Sequence, residues 1–410
     1  MTINLFEYNK FLNYKNKKLF LEGLSLENVA NNFNTPLFCY SISEIEHNYK
    51  LLKNSFKKLK PVICYAMKAN FNSEIIRILT ALGCGIDVVS GGEMEKSIKN
   101  GADKKKIVFS GIGKTLSEIE NAIKKNIKQI NVESIEELNE INKLCSNLKK
   151  KVNICLRINP DVDAKTHEKI STGRSEDKFG ISDEDILNVF KKYKGNKFIN
   201  IIGLSMHIGS QIETLYPFKK AFKKLKKKVI NLRRLGFKIT SLDLGGGVGI
   251  KYNKSNKLID MKSYASLIEE TFYNFKSEII IEPGRFLVGS SGLIISKIIR
   301  IKEGKNKKFL ILDAGMNNLI RPALYGVTHD IFPVKLSKSS LKKTYDVVGP
   351  ICESSDIFIK RFKTQKFEKN DLVAICSTGA YSSCMASDYN LRQKAKEIFI
   401  KKNKVKVSKN

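Results

Sequence analysis

From Pro61 onward the chain alternates short apolar runs rich in β-branched residues with longer stretches whose apolar positions recur every three or four residues. The apolar runs fall at 62–66, 85–90, 106–110, 129–133, 152–158, 201–208, 241–244 and 278–282. Between them the helical period predicts helices at 73–82, 91–100, 115–126, 135–149, 183–194, 217–235 and 260–275. A continuous apolar run is how a strand buried on both faces reads, and strands that alternate with helices imply crossover connections. Eight such strands within about 220–250 residues predict a (β/α)8 barrel, an α/β fold. An open doubly wound sheet seldom uses eight evenly spaced strands.

After Arg285 the texture changes. Gly292–Ile299, Phe309–Asp313 and Leu372–Cys376 follow one another without intervening helical periods. This predicts a mostly antiparallel β-domain. Residues 1–35 are short pieces with a helix expected from Ser25 through Phe33, and are expected to join it. The barrel (36–285) would then be inserted into a discontinuous β-domain (1–35 and 286–410). Pro36–Tyr40 is strand-like, and Ser43 with Glu46 three positions on has the spacing of a capping box.

Composition narrows the function classes. Hydrophobic residues make up 42% of the 410, which suits a globular chain. The 73 Lys and Arg against 41 Asp and Glu give a formal net charge of +32. These cations are dispersed over the whole length among many Asn and Ile, as AT-rich codon usage would place them. They form no basic patch, so a solvated surface is expected and no specific nucleic-acid partner. The first residues turn polar at once, which predicts no secretory leader, and no run approaches the ~20 apolar residues of a membrane helix. A cytoplasmic chain without a membrane partner is expected. The eight cysteines include no CxxC pair and lie mostly in apolar runs, as Cys39, Cys64, Cys155 and Cys376 do. Reduced core thiols are expected, with no disulfide framework and no metal site. Cys352 differs: it follows Gly349-Pro350 and precedes Glu353, a setting for a turn.

The chemistry collects where the barrel strands end, the face at which such barrels keep their active sites. The first strand delivers Lys68, whose amine becomes a neutral nucleophile when desolvated. The second delivers Asp87 and Ser90, before Gly91-Gly92-Glu93. The sixth runs into His207-Ile208-Gly209-Ser210-Gln211, the seventh into Asp243 and Gly245-Gly246-Gly247, and the eighth into Glu282-Pro283-Gly284-Arg285. Taken singly, each has an ordinary explanation: a snorkelling lysine, a packed histidine, a tight turn, a strand-end carboxylate. Together they suit a phosphorylated aromatic aldehyde. Glycine backbone N–H groups can approach an anion closely, a flat imidazole can stack on a ring, and Glu282 could hold a protonated pyridine nitrogen.

Tyr65-Ala66-Met67-Lys68-Ala69-Asn70, His207–Gln211, the glycine triplet and Glu282–Arg285 resemble, in order, the alanine-racemase-type (fold type III) pyridoxal-phosphate enzymes. Within that group they resemble the amino-acid decarboxylases, most closely the diaminopimelate decarboxylases. The resemblance implies pyridoxal 5'-phosphate as cofactor, Lys68 as its Schiff-base lysine, His207 stacked on its ring and Glu282 at its pyridine nitrogen. Ser210, Gly247, Gly284 and Arg285 would lie around the phosphate. It further implies a homodimer, in which Gly349–Asp356 carries Cys352 as proton donor and Glu353 as a substrate ligand into the neighbouring site. Arg321, Tyr325 and Tyr381 match substrate-binding positions, Tyr381 also touching the cofactor.

The same residues bear on the substrate. A decarboxylase for ornithine, lysine or arginine must hold a cationic tail with carboxylates. Diaminopimelate ends in an ammonium and a carboxylate together. Arg285 and Arg321 suit the carboxylate and Glu353 the ammonium. The stretch Thr166-His167, Ile170-Ser171-Thr172-Gly173 and Lys178-Phe179-Gly180 resembles the long loop after the fifth strand of diaminopimelate decarboxylases. The expected reaction is conversion of meso-2,6-diaminopimelate to L-lysine and CO2, the last step of lysine biosynthesis. Related decarboxylases for other amino acids, an amino-acid racemase and a catalytically silent relative stand as the other readings.

Overall fold

Eight parallel strands close into a barrel in the order in which the apolar runs occur: Val62–Ala66, Gly85–Val88, Ile107–Phe109, Gln129–Val132, Val152–Arg157, Ile199–Ser205, Ser241–Asp243 and Glu278–Ile281. The ring is completed where Ile280 and Ile281 pair with Val62 and Ile63. The computed structural model describes residues 4–164, 172–173 and 178–408. Its chain divides into two compact units. One holds Asn48–Gly249 and Leu258–Arg285, the other Met1–His47, Ile250–Lys257 and Phe286–Asn410.

In the barrel unit, side chains written into the loops start the helices. Asn72, Ser90, Thr115, Ser134, Ser182 and Asp260 each accept a backbone N–H of the first helical turn that follows. At Thr115 the box is reciprocal, Glu118 returning a bond to the Thr115 backbone. Caps of this kind contribute about 1 kcal/mol each and fix where each strand stops and its functional loop begins.

The barrel interior departs from an all-apolar filling. Ser241 Oγ donates to Gln129 Oε1 (3.2 Å), and Gln129 Nε2 to Asn131 Oδ1 (2.9 Å). Asn131 Nδ2 donates to Asp243 Oδ2 (2.8 Å) and to Ser110 Oγ (3.1 Å), and Ser110 Oγ to Glu282 Oε1 (3.3 Å). All of these residues are buried. Buried polar groups are stable only when paired, and here the pairing leads along the barrel axis to Glu282.

The second unit is built on a nine-stranded sheet. Its path runs through Ile357–Gln365, Lys342–Val348, Lys308–Leu312, Gly292–Glu303, Leu37–Ser41, Lys396–Lys401 and Lys404–Val407, with Leu372–Ile375 branching from Gly292–Glu303 and Ile331–Pro333 paired to Leu372–Ile375. Most neighbours are antiparallel. The parallel pairs are Lys308–Leu312 with Lys342–Val348, and Leu37–Ser41 with Lys396–Lys401. A small antiparallel sheet of Leu12–Lys15, Lys18–Leu21 and Leu24–Ser25 sends Leu12, Leu19 and Leu21 into one apolar cluster with Leu37, Leu293, Ile295 and Ile398.

Two expectations need correction. Leu37–Ser41, counted with the barrel from residue 36, is an interior strand of the nine-stranded sheet, bonded on one side to Gly292–Ile295 and on the other to Lys396–Ile400. Its five residues are all buried, and locally such a run cannot be told from a barrel strand. The units therefore divide within the helix Ile42–Ser55, and 250–257 also fall outside the barrel unit. That helix is started by Ser41, not Ser43: Ser41 Oγ accepts Glu44 N–H at 3.1 Å. The Ser43 hydroxyl and N–H both go to Glu22, at 2.9 and 2.8 Å. Among the described residues, no helix is long and apolar enough to cross a membrane.

Candidate active site

Lys68 stands in the short 3-10 turn Met67–Ala69 that follows the first strand, exposed between buried Met67 and Ala69. Across the closure of the barrel, Gly284 packs on this turn. A Cβ at Gly284 would lie 3.0 Å from the Ala66 carbonyl oxygen and 3.1 Å from Ala69 Cβ. The Lys68 ammonium acts electrostatically on four groups around it. It favours the ionised forms of Asp87, Glu93 and Glu282 and disfavours a protonated His207.

Asp87, Asp243 and Glu282 form a buried acidic cluster. Burial raises the Asp243 carboxyl to about 6, against the bonds from Glu282, Asn131 and Gly245 that favour its anion. Burial, then the Asp243 charge and a hydrogen bond between the two side chains, hold Glu282 well above the ordinary carboxyl range. Two carboxyls in contact share a proton because both cannot ionise together. Asp87 is likewise raised by burial and by Glu282, and its Oδ1 has no hydrogen-bond partner among the described residues.

His207 is neutral. Burial, then the Lys68 and Arg157 charges, push its imidazole well below the ordinary range. Its Nδ1 accepts the Gly246 N–H at 3.2 Å, which assigns the proton to Nε2. This bond also alters the reading of the glycine triplet. Gly245 N–H goes to Asp243 Oδ1 at 3.1 Å and Gly246 N–H to His207, so two of the three amides serve the site's own side chains. Among the described residues the Gly247 amide makes no hydrogen bond, and it alone of the three remains for an anion. Gly247 has φ +109°, and a Cβ there would lie 2.4 Å from the Gly209 carbonyl oxygen. Ser210, expected beside the phosphate, meets Arg285: Nε and one terminal nitrogen donate to its Oγ at 3.2 and 3.0 Å.

Of the supports of this cluster, sequence reading singled out Thr172 and Phe179-Gly180 in the loop after the fifth strand but missed Arg157, Glu133, Asn131 and Gln129. Arg157 ends the fifth strand, pairs with Glu133 at 2.6 Å and lies 4.6 Å from the Phe179 ring centroid. Glu133 Oε2 also accepts Gly180 N–H at 3.1 Å, so Phe179-Gly180 is tied down beside the strand ends. Thr172 Oγ1 donates to the His207 carbonyl at 3.1 Å. Thr166, His167, Ile170 and Ser171 lie outside the described residues. Asn131 and Gln129 did leave a signal: two amides at i and i+2 in an apolar run put both on one face of the strand.

The other expected site residues belong to the β-unit. Arg321 and Tyr325 open and close the helix Arg321–Tyr325. The buried Arg321 guanidinium lies 4.2 Å from the Tyr252 ring centroid and 5.7 Å from that of Tyr325. Cys352 and Glu353 are exposed on a loop shaped by Asp356, whose carboxylate accepts the Met316 and Ile351 N–H groups at 2.7 and 2.8 Å. Asn390 Oδ1 receives the Cys352 N–H at 3.1 Å, and the Tyr389 hydroxyl donates to Glu353 at 2.6 Å. Tyr381, half-buried at φ +55°, follows Gly379, where a Cβ would lie 1.8 Å from the Val288 carbonyl oxygen.

Residues 42–289 match the family described as pyridoxal-dependent decarboxylase, pyridoxal binding domain. The chain belongs to the pyridoxal-dependent decarboxylases. It is 40% identical to a diaminopimelate decarboxylase of Aquifex aeolicus over 98% of this chain and 95% of that one. Among solved structures, the diaminopimelate decarboxylase of Helicobacter pylori complexed with L-lysine superposes with a TM-score of 0.89 at 40% identity, covering 94% of this chain and 96% of that chain. That of M. jannaschii, also with L-lysine, gives 0.92 at 37% identity, covering 98% and 95%.

Pyridoxal phosphate is the cofactor of this decarboxylase family, and the barrel residues fit it. A buried acid held well above the ordinary carboxyl range by burial and by Asp243, as Glu282 is, suits a cationic ring nitrogen, and Asp87 Oδ1 is a second buried acceptor in the cluster. Lys68 would supply the amine for an aldehyde, neutral His207 a flat face, and Gly247 a close-approach amide for a phosphate oxygen.

Proposed function

We propose that this enzyme converts meso-2,6-diaminopimelate to L-lysine and CO2. The observation that carries the reading is the full-length match, at 40% identity over 98% of the chain, to a diaminopimelate decarboxylase. A lysine decarboxylase from Selenomonas ruminantium, at 23% identity, shares the fold alone.

Lys68 would hold the cofactor's aldehyde, Glu282 its ring nitrogen and His207 its ring face. Ser210, Gly247, Gly284 and Arg285 would surround its phosphate, with Tyr381 nearby. The cofactor supplies an electron sink for the carbon that CO2 leaves. The Lys68 charge favours the Glu282 anion, and burial limits the access of water to that carboxyl. Arg321 would grip the distal carboxylate through its terminal nitrogens, with Arg285, which the Ser210 hydroxyl holds, as a second cation. Glu353 takes the distal ammonium, while Tyr325 and Tyr381 line the substrate. Cys352 delivers a proton to the carbon freed of CO2, the step that makes lysine rather than a rearranged product.

Cys352–Ser355 are all exposed in one chain, with Leu391 close by in sequence to Asn390 and 94% exposed. A proton donor open to water is suited to a site completed by a second copy, which supports a homodimer whose Cys352 and Glu353 serve the neighbouring site. All eight cysteines are free thiols, which supports a cytoplasmic location.

The test is an absorbance titration with pyridoxal phosphate followed by CO2 release from meso-diaminopimelate, beside Lys68→Ala. A cofactor band that the variant lacks, with CO2 and lysine formed, is expected. A band with CO2 from another amino acid only would keep the cofactor site and overturn the substrate.

A further inference from the structure

His329 is the most deeply enclosed histidine of the β-unit, 1% exposed, and the reaction as described makes no use of it. Its Nδ1 lies 2.8 Å from the Cys376 carbonyl oxygen. A carbonyl only accepts, so Nδ1 carries the proton and Nε2 presents its lone pair. Arg321 Nε donates to that lone pair at 3.3 Å. The Tyr252 ring closes the arrangement, edge-on to His329 with centroids 4.7 Å apart and 4.2 Å from the Arg321 guanidinium carbon.

We infer that His329 is a positioning residue for the substrate-binding Arg321, setting the guanidinium plane by accepting its Nε–H while anchored to the Cys376 carbonyl. The inference rests on the reading of Arg321 as the distal-carboxylate ligand. A guanidinium recognises a carboxylate through a planar fork, so rotation about its own axis misaligns both donors at once. Nε is the donor nearest the stem, and fixing it together with the Tyr252 face leaves the plane a single orientation. A carbonyl at this place could accept the same bond. It could not at once donate to Cys376, which is why an imidazole, with two nitrogens of opposite role, suits the position. Tyr252 stands on 250–257, the segment that the chain returns to this unit between two barrel helices.

The experiment compares His329→Leu, His329→Gln, Arg321→Ala and the wild-type holoenzyme for kcat and KM with meso-diaminopimelate. It adds the inhibition constant of pimelate, a dicarboxylate without amino groups, and the melting temperature. In His329→Leu, KM and the pimelate constant are expected to rise by about tenfold, with kcat within about threefold of wild type. His329→Gln restores an acceptor to Nε and is expected to recover most of that loss. If His329→Leu leaves KM unchanged while Arg321→Ala raises it, the positioning role is overturned and the role of Arg321 stands. If Arg321→Ala also leaves KM and pimelate binding unchanged, the reading of Arg321 itself fails. Equal losses in Leu and Gln variants, tracking a lowered melting temperature, would mean that His329 only fills space.

Discussion

The Nδ1 atom of His207 accepts the Gly246 backbone N–H at 3.2 Å, so the loop after the sixth strand and the glycine turn after the seventh hold one another. The imidazole is thereby fixed in its Nε2–H form, and its protonation would set a cation against Lys68 and Arg157. Catalysis should show no titration traceable to His207 between pH 6 and 9. His207→Phe keeps a flat ring and leaves the Gly246 amide unsatisfied, whereas His207→Ala removes both contributions. Cofactor affinity, measured by absorbance titration, should be roughly three- to tenfold lower in the Ala variant than in Phe, the usual size of an aromatic contact. Equal affinities would rule out stacking by this side chain.

The Asp243–Glu282 pair makes a pH prediction of definite sign. A carboxyl raised from 3.8 to about 6 binds more protons in the folded than in the unfolded state between those values. Its contribution is therefore neutral below about pH 4 and becomes destabilising as pH rises to 6. In the cofactor-free protein, Asp243→Asn should become progressively more stable relative to wild type from pH 4 to 6.5 in urea unfolding. A difference that stays flat over that range would mean that Asp243 ionises freely.

Cys352 is exposed, whereas Cys39, Cys64, Cys84, Cys145, Cys155 and Cys376 are buried and Cys384 is half-buried. Iodoacetamide should first alkylate Cys352, as peptide mass spectrometry would show. Cys352→Ala should lower kcat by about a hundredfold or more, the range of a general acid, with KM changed little. A fall in KM affinity without loss of kcat would remove Cys352 from the proton-transfer step.

Gly247 should tolerate no side chain. At φ +109°, with the Gly209 carbonyl oxygen 2.4 Å from a would-be Cβ, Gly247→Ala must displace the turn. Pyridoxal phosphate affinity is expected to fall by at least about tenfold, one lost charge-assisted hydrogen bond. Affinity for pyridoxal without its phosphate should change much less. A similar loss for both ligands would mean that the turn has collapsed generally.

The Arg157–Glu133 pair is buried, with both side chains 10% exposed or less. Glu133→Ala leaves a buried guanidinium without its carboxylate and frees Gly180. Chemical denaturation should show a loss of about 3–5 kcal/mol. A loss below 1 kcal/mol would place the pair in solvent contact.

The barrel was legible because its strands are buried on both faces and its helices on one, so the two periods alternate visibly along the chain. The strand-end residues Lys68, His207 and Glu282 were legible because a barrel delivers every strand's last residue to the same face. What stayed hidden depends on partners far away in sequence. Leu37–Ser41 carries no mark of which sheet it enters, and Ser43 has the spacing of a cap while Glu22, reaching from 21 residues upstream, takes its donors. The glycine triplet reads as an anion cradle until Asp243 and His207 are seen to occupy two of its amides. His329 lies in no motif, and only the meeting of Arg321, Tyr252 and Cys376 around it shows a use.

The placement of Leu37–Ser41 between Gly292–Ile295 and Lys396–Ile400 also governs when this enzyme can begin to exist. On a ribosome adding about 5–20 residues per second, the strand leaves the exit tunnel roughly 20–70 seconds before its last partner is made. For that interval an apolar strand with two open edges must be kept from pairing elsewhere, a task for chaperones. The barrel strands, each paired with neighbours from the adjacent βα units, face a shorter delay for all but the closing pair. Slow translation near the C-terminus should therefore cost yield of soluble enzyme more than an equal pause within the barrel.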